Sequence, residues 1–166
     1  MKKALVTGSS RGIGAAIART LASDGWSVTI NYLNSAEKAG ELARMLGAEA
    51  IRCDVSDSAQ VRAMFERTGD VDLLVNNAGI AWSGLLSDMS DEEWSRILGV
   101  NLGGVFNCCR AAIPGMVRKK RGCIVQDAGT SMTMVHCFAS NAVCLCKRGM
   151  DKKIHPTVHP GRQGGL

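Results

Sequence analysis

Tyrosine occurs once in 166 residues, at Tyr32, and aromatic side chains make up only 4% of the chain. With no basic run interleaved with aromatics, the stacking surfaces of nucleic-acid binders are excluded, and the net charge of +5 reads as a solvated surface with a mild basic bias after residue 126. The seven cysteines contain no Cys-x-x-Cys pair, so a zinc site built from Cys137, Cys144, Cys146, His155 and His159 lacks its anchor, and no metal is expected. The apolar run after Lys2 and Lys3 breaks at once into Gly8 and Ser9. It is too short for a signal-peptide core, and no later stretch reads as a membrane span. These absences predict a cytoplasmic protein without nucleic-acid or membrane partners. In that reducing compartment Cys53, Cys108, Cys109 and Cys123, all in apolar runs, read as small buried hydrophobes.

What is present is a regular rhythm. At 46% hydrophobic and 21% charged, the chain has an ordinary globular composition, and its length suits one domain with a real core. KKALVTG, WSVTINY, AEAIRCDV and VDLLVNNAG read as strands, and GCIV begins a fifth. Between them lie helical patterns: GIGAAIARTLASDG with Ile13, Ile17 and Leu21 at four-residue spacing, SAEKAGELARMLG with a Ser cap and a Gly stop, DSAQVRAMFERTG, and one long helix from DEEW to VRKK. Such alternation with short links predicts an α/β fold with a doubly wound parallel sheet.

The first strand-to-helix turn is rich in glycine. In Thr7-Gly8-Ser9-Ser10-Arg11-Gly12-Ile13-Gly14 the spacing is G-x-x-x-G-x-G, and the turn leaves a helix N-terminus open to a phosphate. A tight loop against a close helix is the plainer alternative, but the position after strand one and before helix one favours a nucleotide site.

TGSSRGIG, CDV, NNAG and VNLGGVF, in this order, resemble the classical short-chain dehydrogenase/reductase family, and within it the 3-oxoacyl-[acyl-carrier-protein] reductases. The resemblance covers residues 1–125 and implies a Rossmann-like NADP(H)-binding domain over that range, truncated after the fifth strand. It places Gly8, Gly12, Ile13 and Gly14 at the pyrophosphate turn, Ser10 and Arg11 beside the adenosine ribose, Asp54 and Val55 at the adenine edge, and Asn77, Ala78 and Gly79 along the cofactor side of strand four. Asp54 has a second reading as a helix cap, and Asn76 and Asn77 a second reading as ties between strands. Asn101 falls on the family's catalytic asparagine, which relays protons to the active lysine; its alternative is a polar residue satisfied against a neighbouring loop. Trp82, Met89 and Trp94 read either as packing or as the wall of a substrate cleft. The implied partners are a dinucleotide and a 3-oxoacyl thioester, small-molecule or acyl-carrier-bound.

Two further absences sharpen this reading. Val28 to Ala36 contains no Asp or Glu, and an acid there would accept the ribose hydroxyls of NAD and repel a 2′-phosphate. With Arg11 placed to pair with that phosphate, NADP(H) is the expected cofactor. The family's catalytic serine, tyrosine and lysine have no counterparts: Gln126-Asp127-Ala128-Gly129 follows strand five where the family has Asn-x-Ser-Ser, Phe138 stands in the faint echo FASNAVCLCK, and the residue four beyond it is Ala142. Residues 126–166 therefore read as an aberrant tail, as from a shifted reading frame, and the expected consequences are lost chemistry and an open sheet edge prone to self-association.

Overall fold

The computed structural model describes residues 1–127. Five strands, β1 (Lys3–Val6), β2 (Ser27–Tyr32), β3 (Glu49–Arg52), β4 (Leu73–Asn76) and β5 (Cys123–Gln126), form one parallel sheet in the order β3-β2-β1-β4-β5. Between them run α1 (Gly12–Ser23), α2 (Ala36–Leu46), α3 (Ser58–Thr68) and, before β5, α4 (Asp91–Leu98) leading into α5 (Gly104–Arg118). The strand order reverses between β1 and β4, and a parallel sheet opens a crevice at the carboxyl ends of its strands at that point. The Rossmann-like arrangement expected from the sequence is present, with β3 and β5 as edges among the described residues.

The two faces of the sheet are filled differently. Against α1 and α2 the core is small: Ala4, Ala18, Ala39 and Ala43 pack with Val6, Ile30 and Leu42. Against α3 and α5 it is bulkier and sulfur-rich, with Leu5, Met64, Leu74, Cys108 and Met116. Cys53, Cys108 and Cys109 are buried as expected, whereas Cys123 is exposed because β5 starts at a sheet edge. In the first turn of α1, Ile13 is 64% exposed, and Gly14 and Ala18 take the buried face of the helix.

Local signals explain most boundaries. Gly47 ends α2 in the left-handed region at φ 58°, and Asp57 caps α3 by accepting from the Ala59 and Gln60 N–H groups. Ser35 occupies the N-cap position of α2 without a side-chain cap bond. At α4, Ser90 and Glu93 form a reciprocal capping box. The single long helix read from DEEW to VRKK is continuous but not uniform, because Gly99–Gly103 is a wide π turn. The 28 residues from Asp91 to Arg118 are also long and apolar enough, by length and composition, to cross a membrane, contrary to the sequence reading. Here the apolar side of α5 is used for packing: Cys108, Cys109, Ala112 and Met116 lie in the core beside α3 and β4.

At the opposite edge from the crevice, Asp72 gathers three parts of the chain. Its carboxylate accepts from the Lys3 backbone N–H at 2.9 Å, from Lys119 Nζ at 2.8 Å and from Arg121 Nε at 3.2 Å. Desolvation opposes its ionisation, but the Lys119 and Lys3 hydrogen bonds and the two cations prevail and hold its pKa down at about 2.

Candidate functional site: the crevice above β1 and β4

The turn after β1 is shaped by backbone demands that only glycine meets cheaply. Gly8 and Gly12 have φ of +62° and +59°, in the left-handed region. A Cβ on Gly8 would lie 2.8 Å from the Cα of Ala78, and one on Gly14 would run into the Asn77 amide, the Gly8 carbonyl and Ser9. Gly14 thus serves close approach of α1 to the sheet. Arg11 stands at the N-cap of α1 without a side-chain cap bond, so its side chain does not occupy the first N–H groups of that helix, which begins next to the lining residues Ser10 and Arg11.

Side chains fix the turn from both sides. Thr7 Oγ1 accepts from the backbone N–H groups of Asn77 and Ala78, both at 3.0 Å. Asn77 Nδ2 donates to the carbonyls of Thr7 and Gly8 at 2.8 and 3.1 Å. The strand-tying role of Asn77 is therefore present, and the same residue faces the crevice. Asn76 donates instead to Cys109 Sγ. On the other side, Asn31 Oδ1 accepts from the Gly8 N–H at 3.0 Å.

The result is a cleft of about 480 Å³. Of the sequence-predicted residues, Gly8, Ser10, Arg11, Asp54, Val55, Asn77, Ala78 and Gly79 all line it; Gly12, Ile13 and Gly14 do not, standing at the start of α1. Asp54 is not the helix cap, a task that falls to Asp57; its Oδ1 accepts from the N–H and the hydroxyl of Ser56 at 2.9 and 2.6 Å, fixing the loop that follows β3. Asn101 lies in the π turn and clamps Ile80, accepting from its N–H and donating to its carbonyl, both at 2.9 Å. Ile80 in turn lines the cleft.

Several lining residues escaped the sequence reading. Asn31 to Ser35 form the wall beyond β2, and Ser95, Arg96, Gly99 and Val100 form the wall contributed by α4 and the π turn. Absence of charge was the signal for the first wall; for the second the only pointer was Val100, which opens the VNLGGVF motif. Cys53 also reaches the cleft, where burial, then Asp54 and Asp57, push its thiol up to about 11 and keep it neutral. Trp82 hydrogen-bonds Glu93, which with the Ser90 N–H holds that carboxyl below its usual range. Trp94 is half exposed and Met89 partly buried. The positions expected to carry serine, tyrosine and lysine, and the residues weighed for zinc, lie outside the described residues.

The donor set suits a dinucleotide: a helix N-terminus and backbone turn for pyrophosphate, Arg11 for a further anion, and a neutral wall at β2. Comparison with known proteins agrees with this geometry. The family model for short chain dehydrogenases matches residues 2–140, past Val125 where the motifs end. The 3-oxoacyl-[acyl-carrier-protein] reductase FabG of Staphylococcus aureus strain Mu50 is 44% identical over 133 residues, covering 75% of this chain and 54% of the relative. Its Escherichia coli K12 counterpart is 42% identical over 139 residues, covering 80% and 57%. The chain thus spans little more than half the length of these curated relatives. Among solved structures, a metagenomic short-chain oxidoreductase in complex with NADP is 32% identical with a TM-score of 0.80, covering 89% of this chain and 77% of that one. A 3-oxoacyl-[acyl-carrier protein] reductase with bound NAD from Brucella melitensis is 37% identical with a TM-score of 0.69, covering 75% and 52%. The glycine turn, the strand order, the crevice and these matches together place the chain in the short-chain dehydrogenase family.

Proposed function

We propose that the cleft binds a nicotinamide dinucleotide, NADP(H) in preference to NAD(H), on a chain related by descent to reductases of 3-oxoacyl thioesters or similar ketones. The observation that carries the preference is the charge of the adenosine end: Arg11 lines the cleft together with Tyr32, Leu33, Asn34 and Ser35, none of them a carboxylate, and the one acid of the lining, Asp54, comes from beyond β3. A 2′-phosphate beside Arg11 gains a charge-assisted contact and meets no acid on the β2 wall. The dinucleotides bound by the metagenomic and Brucella relatives support the same site. Titration of nicotinamide fluorescence tests it. NADPH binds more tightly than NADH, and Arg11→Ala removes most of a difference of roughly tenfold or more, the worth of one charged hydrogen bond. Equal affinities in the unmutated chain would refute the preference.

A second reading, binding without turnover, rests on the tyrosine count. Tyr32 is the only phenol in the sequence, and it lies in the neutral wall beyond β2, at the adenosine end. Three buried thiols, Cys53, Cys108 and Cys109, suit a reducing cytoplasm. The β5 edge, where Val125 is 44% exposed, is the surface through which copies of the chain or a partner would associate. Light scattering checks this: a concentration-dependent rise in mass is expected, and a monomer at all concentrations would discard it.

A further inference from the structure

Asn31 is a polar side chain in the middle of an apolar sheet, only 2% exposed, and no motif accounts for it. Its amide spans two places that a dinucleotide site must keep in register. The oxygen accepts from the N–H of Gly8, in the phosphate turn, at 3.0 Å. The nitrogen donates to the Ile51 carbonyl at 3.4 Å and to the Cys53 carbonyl at 3.0 Å, at the end of β3 immediately before Asp54. These partners fix which end of the amide is which, because an N–H faces one side and two carbonyls the other. The backbone of Asn31 completes the attachment: its carbonyl accepts from Ser9 N–H at 2.9 Å, and its N–H donates to Ser9 Oγ at 3.2 Å.

We propose that Asn31 is a positioning residue that fixes the separation between the phosphate turn at Gly8 and the adenine rim at Asp54 and Val55. The inference rests on the dinucleotide reading of the cleft. An asparagine is required because one short side chain must accept on one side and donate on the other. Valine, which suits a strand better, has no polar atom, and threonine has one hydroxyl close to the backbone where the bridge uses two separate atoms, Oδ1 and Nδ2, on opposite sides. Without the bridge, Gly8 keeps its neighbours on the β4 side through Thr7 and Asn77, while the end of β3 loses its side-chain link to the turn and keeps only the backbone bonds that run through β2. The two halves of the adenosine site then move relative to each other. The cost falls on ligands that touch both, and placement errors of this kind are expensive in binding as in catalysis.

The test compares Asn31→Thr with Asn31→Leu and with a control, Ile30→Val, which trims the neighbouring buried side chain and touches no bridge. Each full-length chain is titrated with 2′,5′-ADP by calorimetry at a temperature where melting curves show it folded, and the Gly8 and Asp54 amides are followed by ¹⁵N NMR. Asn31→Thr is expected to weaken 2′,5′-ADP by roughly tenfold, the worth of one buried hydrogen bond, and to shift both amide resonances. Ile30→Val binds as the unmutated chain does, even with a comparable loss of melting temperature. Asn31→Leu gives a larger loss; if it does not fold, the threonine variant decides. Unchanged affinity in Asn31→Thr, with 2′,5′-ADP still bound by the unmutated chain, overturns the positioning role alone. An unmutated chain that binds neither 2′,5′-ADP nor NADPH overturns the dinucleotide reading, and this inference with it.

Discussion

Around Gly8 the backbone is held by three side chains, one on β2 and two just past the ends of β1 and β4, whereas around Ile80, among the described residues, it is held by one. Thr7, Asn31 and Asn77 converge on the phosphate turn from β1, β2 and the end of β4. At the other end of the cleft Asn101 is the one side chain among the described residues that clamps Ile80, and the chain beyond it presents Leu85 and Leu86 at 70% and 78% exposure. The difference separates holding a nucleotide from acting on a second molecule. A turn braced on all sides is preorganised for a charged ligand that needs fixed donors. A single clamp on a loop fixes one wall and leaves the adjoining surface to be completed by whatever packs on it.

The comparison is broken most forcefully by activity. If the braced end works without a matching acid at the other, the chain reduces no ketone above background; lack of a general acid alone would cost about 10²–10⁴-fold. Loss of NADPH absorbance with an acetoacetyl thioester measures this, using protein freed of host reductases. Sustained turnover that vanishes in Asn101→Ala would show that the clamped end is catalytically complete.

Next in size is Gly14→Ala. The added methyl meets Asn77, the Gly8 carbonyl and Ser9 at once, so α1 must back away from the turn. Overpacking of this kind costs on the order of 1–3 kcal/mol, and dinucleotide binding should be lost well before the fold is. Denaturant melts and NADPH titration on the same sample separate the two effects. If binding survives intact, the bracing is looser than drawn here.

The smallest effect lies away from both ends. Asp72 is well shielded and its pKa is held at about 2 against an ordinary 3.8, so its contribution is complete above pH 4 and disappears as pH falls through 2. It amounts to about 2 kcal/mol. Asp72→Asn should lower stability by that order at pH 7 and flatten the acid limb of the stability curve. A variant with an unchanged acid limb would assign the acid sensitivity to other carboxylates.

How much of this was legible beforehand depends on how each residue does its work. Gly8 and Gly12 were visible because the turn needs positive φ, and that demand selects glycine in the sequence itself. The preference for a phosphate at the β2 end could be read from an absence of acids, which survives folding unchanged. Asn31 was invisible: one asparagine in SVTINY looks like ordinary strand alternation, and its role exists only once β1 and β3 lie on either side of β2. The π turn was equally hidden, since VNLGG continues the apolar periodicity of the helices it joins. The spacing of Ile13, Ile17 and Leu21 marked α1 correctly as a helix, but spacing alone does not say which of its residues are buried, and Ile13 is 64% exposed. Asn101 and Asn77 had two readings each, and the geometry realises the bland one in both, as a clamp and a tie; Asn77 still lines the cleft, while Asn101 reaches it only through Ile80.

The helical stretch from Asp91 to Arg118 can be viewed as a strut. At 28 residues it measures about 40 Å. Its head supplies the Arg96 and Val100 wall of the cleft, and its foot is pinned by Arg118 to Asp70 and, one residue on, by Lys119 to Asp72. Mechanically, one wall of the cleft continues into a helix that is packed in the core and tied at its far end to the loop before β4, so that wall has attachments that no bound nucleotide touches.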